Sequence, residues 1–282
     1  MPLMRGARLS PRHILAATSP HISGPAPASF FRLAKSPLPV FGNDRYGDCV
    51  TAEEFSAKAA DGHLGTDTEA IDTARNWGGL NGADLATILD YAAAGFTVGG
   101  VRVADGGRQT VNYLSWDNLT SAIYQGQVKI AVGANALQHA GAGSGRPWAI
   151  GQAYAESIDH CIGIAGYGTW AECCQAIGYN TGVNIGDATP SLVGETWGDY
   201  GVIAYVGGLL PIMNSSPTRG NSEAWLRVPT TIIPSPDPSP TPTPGPTPTP
   251  PSPGPCPWRR EDVEAYAHAI TRGVAAGLRS MH

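Results

Sequence analysis

Between Pro234 and Pro257 the chain reads PSPDPSPTPTPGPTPTPPSPGPCP, and no packed domain can continue through it. Proline at nearly every second position removes backbone donors and fixes φ, so the run is expected to form an extended polyproline-II spacer. At about 3.1 Å per residue it would reach about 70 Å. The chain is thereby divided before any element is read. A core-forming part must end upstream, near Pro229, and whatever follows the spacer stands apart. That following segment, residues 258–282, places Val263, Tyr266, Ile270, Val274 and Leu278 at helical spacing. One amphipathic helix cannot bury its own stripe, so this C-terminal helix is expected to dock on a partner or to self-associate.

Upstream of the spacer, residues 1–36 are rich in Pro and Ser and carry no period, which reads as an extended N-terminal arm. Residues 37–230 carry the domain. The stretch CVTAEEFSAKAADGHLG from Cys49 predicts a helix, with Val50, Phe55 and Ala59 near helical spacing and Gly62 and Gly65 where it should stop. A second helix is predicted in TDTEAIDTARNW with Thr66 or Asp67 as N-cap. A third follows in NGADLATILDYAAAGF, whose apolar stripe is Leu85, Ile88, Leu89 and Ala92. After about residue 96 the character changes. TVGGVRVA, VKIAVGANA, HCIGIAGYG and YGVIAYVGG are short β-branched runs broken by glycine, which read as strands. Between the last two, WAECCQAIG spaces Trp170, Cys173, Cys174 and Ile177 as a short helix with both cysteines on its buried side. A helical first half and a sheet-forming second half predict an α+β domain of two lobes.

Composition excludes several classes of function. The formal net charge is −5 and no block of Lys or Arg occurs, so no nucleic-acid surface is expected. No apolar run approaches the roughly 20 residues of a membrane span. The first 20 residues carry three arginines but only HILAA as an apolar stretch, which is too short for a secretory signal. The Pro/Thr spacer favours an extracellular, surface-displayed or particle-associated setting by composition alone. The five cysteines, two of them adjacent, make a poor disulfide framework, and no CxxC pair suggests structural zinc. Phosphate-loop, HExxH and EF-hand patterns are absent, so neither a cofactor nor a metal is expected.

Cys49 therefore needs its own reading. GNDRYGDCVTAEEF, residues 42–55, puts this thiol where a turn-rich loop becomes a helix. The partial positive charge at a helix N-terminus favours thiolate over thiol. A thiolate that is to cleave an amide needs a proton shuttle, for which histidine is the usual choice. Of seven histidines, His13 and His21 lie in the arm, His268 and His282 in the tail, and His63 and His139 in turns or loops. Only His160 opens a strongly apolar strand, in AESIDHCIGIAGYG.

GNDRYGDC before a helix, followed by DHCIGIAGYG, resembles the papain-like cysteine peptidases, over residues 38–210 and as a divergent, bacterial- or phage-type member. The resemblance implies a two-lobed fold with Cys49 as nucleophile and His160 as its proton partner. It implies that Asn43, six residues before Cys49 where the family has Gln, donates to the oxyanion together with the Cys49 backbone N–H. Gly47 matches a family glycine. Asn81 and Gly82, in LNG at 80–82, are similar to the loop that lines the substrate cleft, and Asp159 beside His160 would bias the ion pair on the substrate side. WGDYGVIAY at 197–205 is similar to the closing strand of the second lobe. The sequence also departs from the family. Val50 stands where an aromatic is usual, the family's disulfides have no counterpart, and the residue that orients the histidine is matched best by Glu195, with Asn180 as competitor. The chain has no room upstream for the family's long inhibitory pro-domain. The activity implied is hydrolysis of peptide or isopeptide bonds. Two alternatives are an amidase or acyltransferase using the same pair, for example on peptidoglycan cross-links, and a non-catalytic binding module on a proline-rich stalk.

Overall fold

The computed structural model describes residues 4–34, 38–139, 148–150, 158–178, 192–194, 200–204 and 223–229. Residues 1–233 form one compact unit and 234–282 a second. Glu195, Asn180, the Pro/Thr spacer and the C-terminal helix lie outside the described residues.

The N-terminal arm carries β1 (Ala7–Arg8), α1 (Arg12–Ala17) and β2 (Phe30–Phe31). A helical layer follows, made of α2 (Cys49–Ala60), α3 (Asp67–Asn76), β3 (Ala83–Asp84) and α4 (Leu85–Ala94). Next come β4 (Phe96–Val98), β5 (Val101–Val103), β6 (Arg108–Thr110), α5 (Trp116–Gln125), β7 (Val128–Val132) and α6 (Ala134–His139). The rest comprises β8 (Trp148–Ile150), β9 (His160–Gly168), α7 (Trp170–Ile177), β10 (Leu192–Gly194), β11 (Tyr200–Ala204) and β12 (Ala224–Arg227).

Local signals account for the helices. Thr66 caps α3 through a capping box: its hydroxyl accepts from the Glu69 N–H, and the Glu69 carboxylate accepts from the Thr66 N–H at 2.9 Å. Asp84 caps α4 by accepting from the Thr87 N–H at 2.9 Å, and Thr169 and Glu172 repeat the capping box on α7. Cys173 and Cys174 are both fully buried, and burial pushes the Cys173 thiol up to about 12, so it stays a neutral core residue.

The main sheet runs β6-β12-β7-β9-β11-β10-β8, with β2 of the arm pairing β9. Its pairings are antiparallel except β9 with β11, which is parallel and shifts register between Gly201 and Val202. Every residue of β9 is buried, as expected of a central strand covered on both faces. On one face Ile162 and Ile164 pack in a cluster with Leu119 and Ile123 of α5. On the other, α2 lies along the strand. Cys49 shares a buried cluster with Cys161, and Ala59 shares another with Ala165.

Several stretches fold differently from the sequence expectation, among them the arm, read as extended, which carries the short helix α1. TVGGVRVA is not one strand: Gly99 and Gly100 take φ of +57° and +77° and turn it into the hairpin β4–β5, apart from the main sheet. Two consecutive positive φ values suit a tight two-residue hairpin turn, which glycine permits at no steric cost. VKIAVGANA is divided too, into β7 and the start of α6. The second half, expected to hold one short helix at WAECCQAIG beside its strands, also contains α5, which Ser115 caps by accepting from the Asn118 N–H.

Candidate active site

The loop that presents Cys49 is wound on an apolar anchor. Phe41 holds a φ of +52°, an uncommon conformation for a side chain this large, while its fully buried ring packs 5.6 Å from that of Phe55 on α2. The chain then turns tightly, with the Arg45 and Tyr46 N–H groups donating to the Gly42 carbonyl at 2.9 and 3.0 Å. This turn places Asn43 inside the protein, completely buried, ahead of the helix. The Asp48 carbonyl takes the first helical bonds, from Thr51 and Ala52 at 2.8 and 2.9 Å. Cys49 is thus the first residue of α2, fully buried, at the positive end of a twelve-residue helix.

His160 opens β9 opposite Val132 and is also fully buried. Because Cys49 clusters with Cys161 and Ala59 with Ala165, α2 and β9 run in the same direction and begin at the same end. The two elements that open with Cys49 and His160 are therefore laid side by side with their starts together. Cys161 itself is unsuited to nucleophilic work: burial pushes its thiol well above the ordinary range, a push that Lys129 only partly offsets.

A peptide segment of the arm crosses this end of the domain. Gly6 and Ala7 donate their N–H groups to the Asp159 carbonyl at 3.0 and 3.1 Å, and the Gly6 carbonyl accepts from the Ala83 N–H at 2.9 Å. β1 pairs β3 in parallel, Ala7 with Ala83 and Arg8 with Asp84. Gly6 lies so close to the loop before Cys49 that a Cβ there would stand 1.7 Å from the Gly47 carbonyl oxygen. A Cβ on Gly47 would in turn meet the Arg5 carbonyl at 2.7 Å and Asn81 at 3.5 Å. Gly47, Asn81 and Gly82 thus converge with Asp159 on one groove, and residues 5–8 fill it.

Asp159 has both carboxylate oxygens engaged. One accepts from the Ala134 N–H at the start of α6 (2.9 Å), and the other takes an ion pair from Arg5 at 2.7 Å. Arg5 also donates to the side chains of Asn135 and Gln138. Sequence reading placed Cys49, His160, Asn43, Asn81, Gly82 and Asp159 in one region, and the fold gathers the elements that carry them. It did not find Arg5, Gly6, Asn135 and Gln138. An Arg-Gly pair in a Pro/Ser-rich arm has no period or motif to mark it, and only the chain's return over the domain gives it a place. Sequence reading expected no long inhibitory pro-domain upstream of Cys49; what crosses the groove is a short stretch of the arm.

No protein-family model and no curated protein matches the chain. Solved structures do. Procathepsin L2 proteinase from the larval midgut of Tenebrio molitor aligns with a TM-score of 0.52 at 15% identity, covering 80% of this chain and 78% of that one. Digestive procathepsin L 3 from the same tissue aligns with a TM-score of 0.46 at 14% identity, covering 75% and 73%. The Carica candamarcensis cysteine protease CMS1MS2 gives 0.45 at 18% identity, covering 73% and 100%. The first of these likenesses carries the conclusion about architecture: the arrangement of helices and antiparallel sheet is similar to that of the papain-like cysteine proteases. At 15% identity this is a likeness of fold.

Proposed function

We propose that the chain is a papain-like thiol hydrolase of two lobes, cleaving peptide or related amide bonds with Cys49 and His160. The observation that carries this reading is the side-by-side start of α2 and β9, which open with those two residues. In the proposed reaction the Cys49 thiolate attacks the carbonyl carbon, and the oxyanion is held by the Asn43 amide and the Cys49 N–H. As the C–N bond breaks, the His160 imidazolium gives its proton to the departing amine. Water then adds to the thioester with His160 taking its proton, and the acid departs to restore the thiolate. Glu195 is assigned to orient His160, in preference to Asn180. A divergent, bacterial- or phage-type member of that superfamily goes with this reading; action on peptidoglycan cross-links belongs to the alternative of an amidase or acyltransferase using the same pair.

A second reading has one observation in its favour. Cys49 is wholly buried and shares its cluster with Ala7 of the arm, as befits a binding module that has kept the fold without the chemistry. Iodoacetamide labelling of Cys49 against pH, resolved peptide by peptide by mass spectrometry, decides between them. A working pair labels rapidly down to about pH 5–6 and loses this in His160→Ala. Labelling that rises only near about pH 8.5, unchanged in His160→Ala, would overturn the hydrolase.

A further inference from the structure

The groove is filled by four residues of the chain's own arm, and the manner of filling describes what the groove accepts. Arg5 meets three acceptors from two different elements: the Asp159 carboxylate ahead of β9, and the Asn135 and Gln138 amides on α6. The carboxylate is set in advance, since its second oxygen is fixed by the Ala134 N–H and only the other is left to face a cation. A planar guanidinium with donors spread in a fork can reach all three acceptors at once, whereas an ammonium is a point charge. The next residue passes a neck. Gly6 lies against the Gly47 carbonyl, where any Cβ would stand 1.7 Å from oxygen, and its own carbonyl is held by the Ala83 N–H. The neck is backbone on both sides, so it cannot widen by turning a side chain.

We infer that Asp159, Asn135 and Gln138 form an arginine-binding subsite, followed by a neck between Gly47 and Ala83 that admits only glycine. The ligands of this groove are accordingly basic peptides containing an Arg-Gly step, and the arm's Arg5-Gly6 is the one bound here. This rests on the proposed function in that the groove is taken as the substrate cleft. Its binding chemistry does not depend on Cys49.

The test uses the full chain carrying Gly6→Ala, in which the new methyl forces the arm off the neck. A fluorescein-labelled octapeptide of residues 4–11, MRGARLSP, is titrated by anisotropy, beside the same peptide with its first Arg or its Gly replaced by Ala. Expected is saturable binding of MRGARLSP, about tenfold or more weaker for each replaced peptide, and no Arg preference after adding Asp159→Asn. Equal binding of the three peptides, or binding of none, would overturn the proposal. A second measurement covers the case in which Gly6→Ala disturbs folding. In the full chain with Arg5→Ala, a change at a partly exposed side chain, hydrogen exchange of the Gly6, Ala7 and Ala83 amides is expected to speed up about tenfold or more; unchanged exchange would also count against the subsite. Binding without pH-resistant labelling of Cys49 would sink the hydrolase and keep the subsite, and labelling without binding the reverse.

Discussion

Asn43 and Cys49 are six residues apart, and the loop between them is shaped by one strained position, Phe41, whose ring anchors it in the core. If Asn43 supplies an oxyanion donor, Asn43→Ala lowers kcat by about 10²–10³ with little change in KM, measured on whichever peptide the unalkylated enzyme turns over. Equal loss in KM alone would assign Asn43 to ground-state binding instead. Gly47→Ala tests the neighbouring contact: its Cβ would sit 2.7 Å from the Arg5 carbonyl, so it displaces the arm and exposes Cys49. The expected outcome is faster alkylation of Cys49 at a fixed pH, and an unchanged rate would refute that account. At this scale the sequence was informative where a residue type and its local setting suffice, as with a thiol at a helix start. It was silent on Arg5 and Gly6, whose meaning comes from residues more than 40 positions away.

α2 is buried on all sides although it carries Glu53, Glu54 and Lys58. A helix in that position can keep charges only by pairing them. Arg227 of β12 bridges Glu53 at 2.7 Å and Glu54 at 3.0 Å, while Lys129 of β7 pairs with Glu53 at 3.0 Å and also with Glu54. Lys58 and Asp105 extend the cluster, and its three cations balance three carboxylates. Removing Lys129 leaves Glu53 and Glu54 to share Arg227, with one buried negative charge uncompensated, so Lys129→Met should cost about 3–5 kcal/mol in urea unfolding; a loss under about 1 kcal/mol would mean the cluster relaxes around the gap. Burial pushes the Glu54 carboxyl up, but Arg227 and Lys129 outweigh it and hold its pKa at about 2, below the ordinary 4.5. A depressed carboxylate stabilises above its unfolded pKa, and this contribution fades as pH falls from 4.5 toward about 2. Asp105 works the other way: burial holds its pKa above the ordinary value, so acid relieves part of its cost. Glu54→Gln should therefore unfold more easily at pH 7 and show a shallower acid loss than the parent; an unchanged acid slope would remove Glu54 from the account. The helix was legible in the sequence from its period and stops. Its charged residues gave no sign of burial, because their partners lie 47 to 174 residues away.

Across the whole unit, the arm acts as an outer strap. β2 adds to the main sheet at β9, the His21 N–H donates to the Thr110 carbonyl at 2.7 Å, and Ser10 is tied to both layers. The Ser10 hydroxyl donates to Glu223 at 2.8 Å while accepting from the Ala86 N–H at 3.0 Å, and the Ser10 N–H also donates to Glu223. Ser10→Ala leaves a buried carboxylate without its hydroxyl donor and should cost about 1–3 kcal/mol in the same unfolding assay. It should also speed exchange of the Gly6 and Ala7 amides; exchange identical to the parent would separate the tether from the groove. Among the described residues no helix is long and apolar enough to cross a membrane.

What the sequence determined by itself was local. Caps, helical periods and stop signals fixed α2, α3, α4 and α7, and the apolar run after His160 fixed β9, because each signal acts within a few residues of the backbone it organises. The tertiary structure decided the rest: the place of β12 between β6 and β7, the buried ion cluster, and the passage of residues 5–8 through the groove. Each of those depends on groups brought together from distant parts of the chain, and no window of sequence contains both members of such a contact.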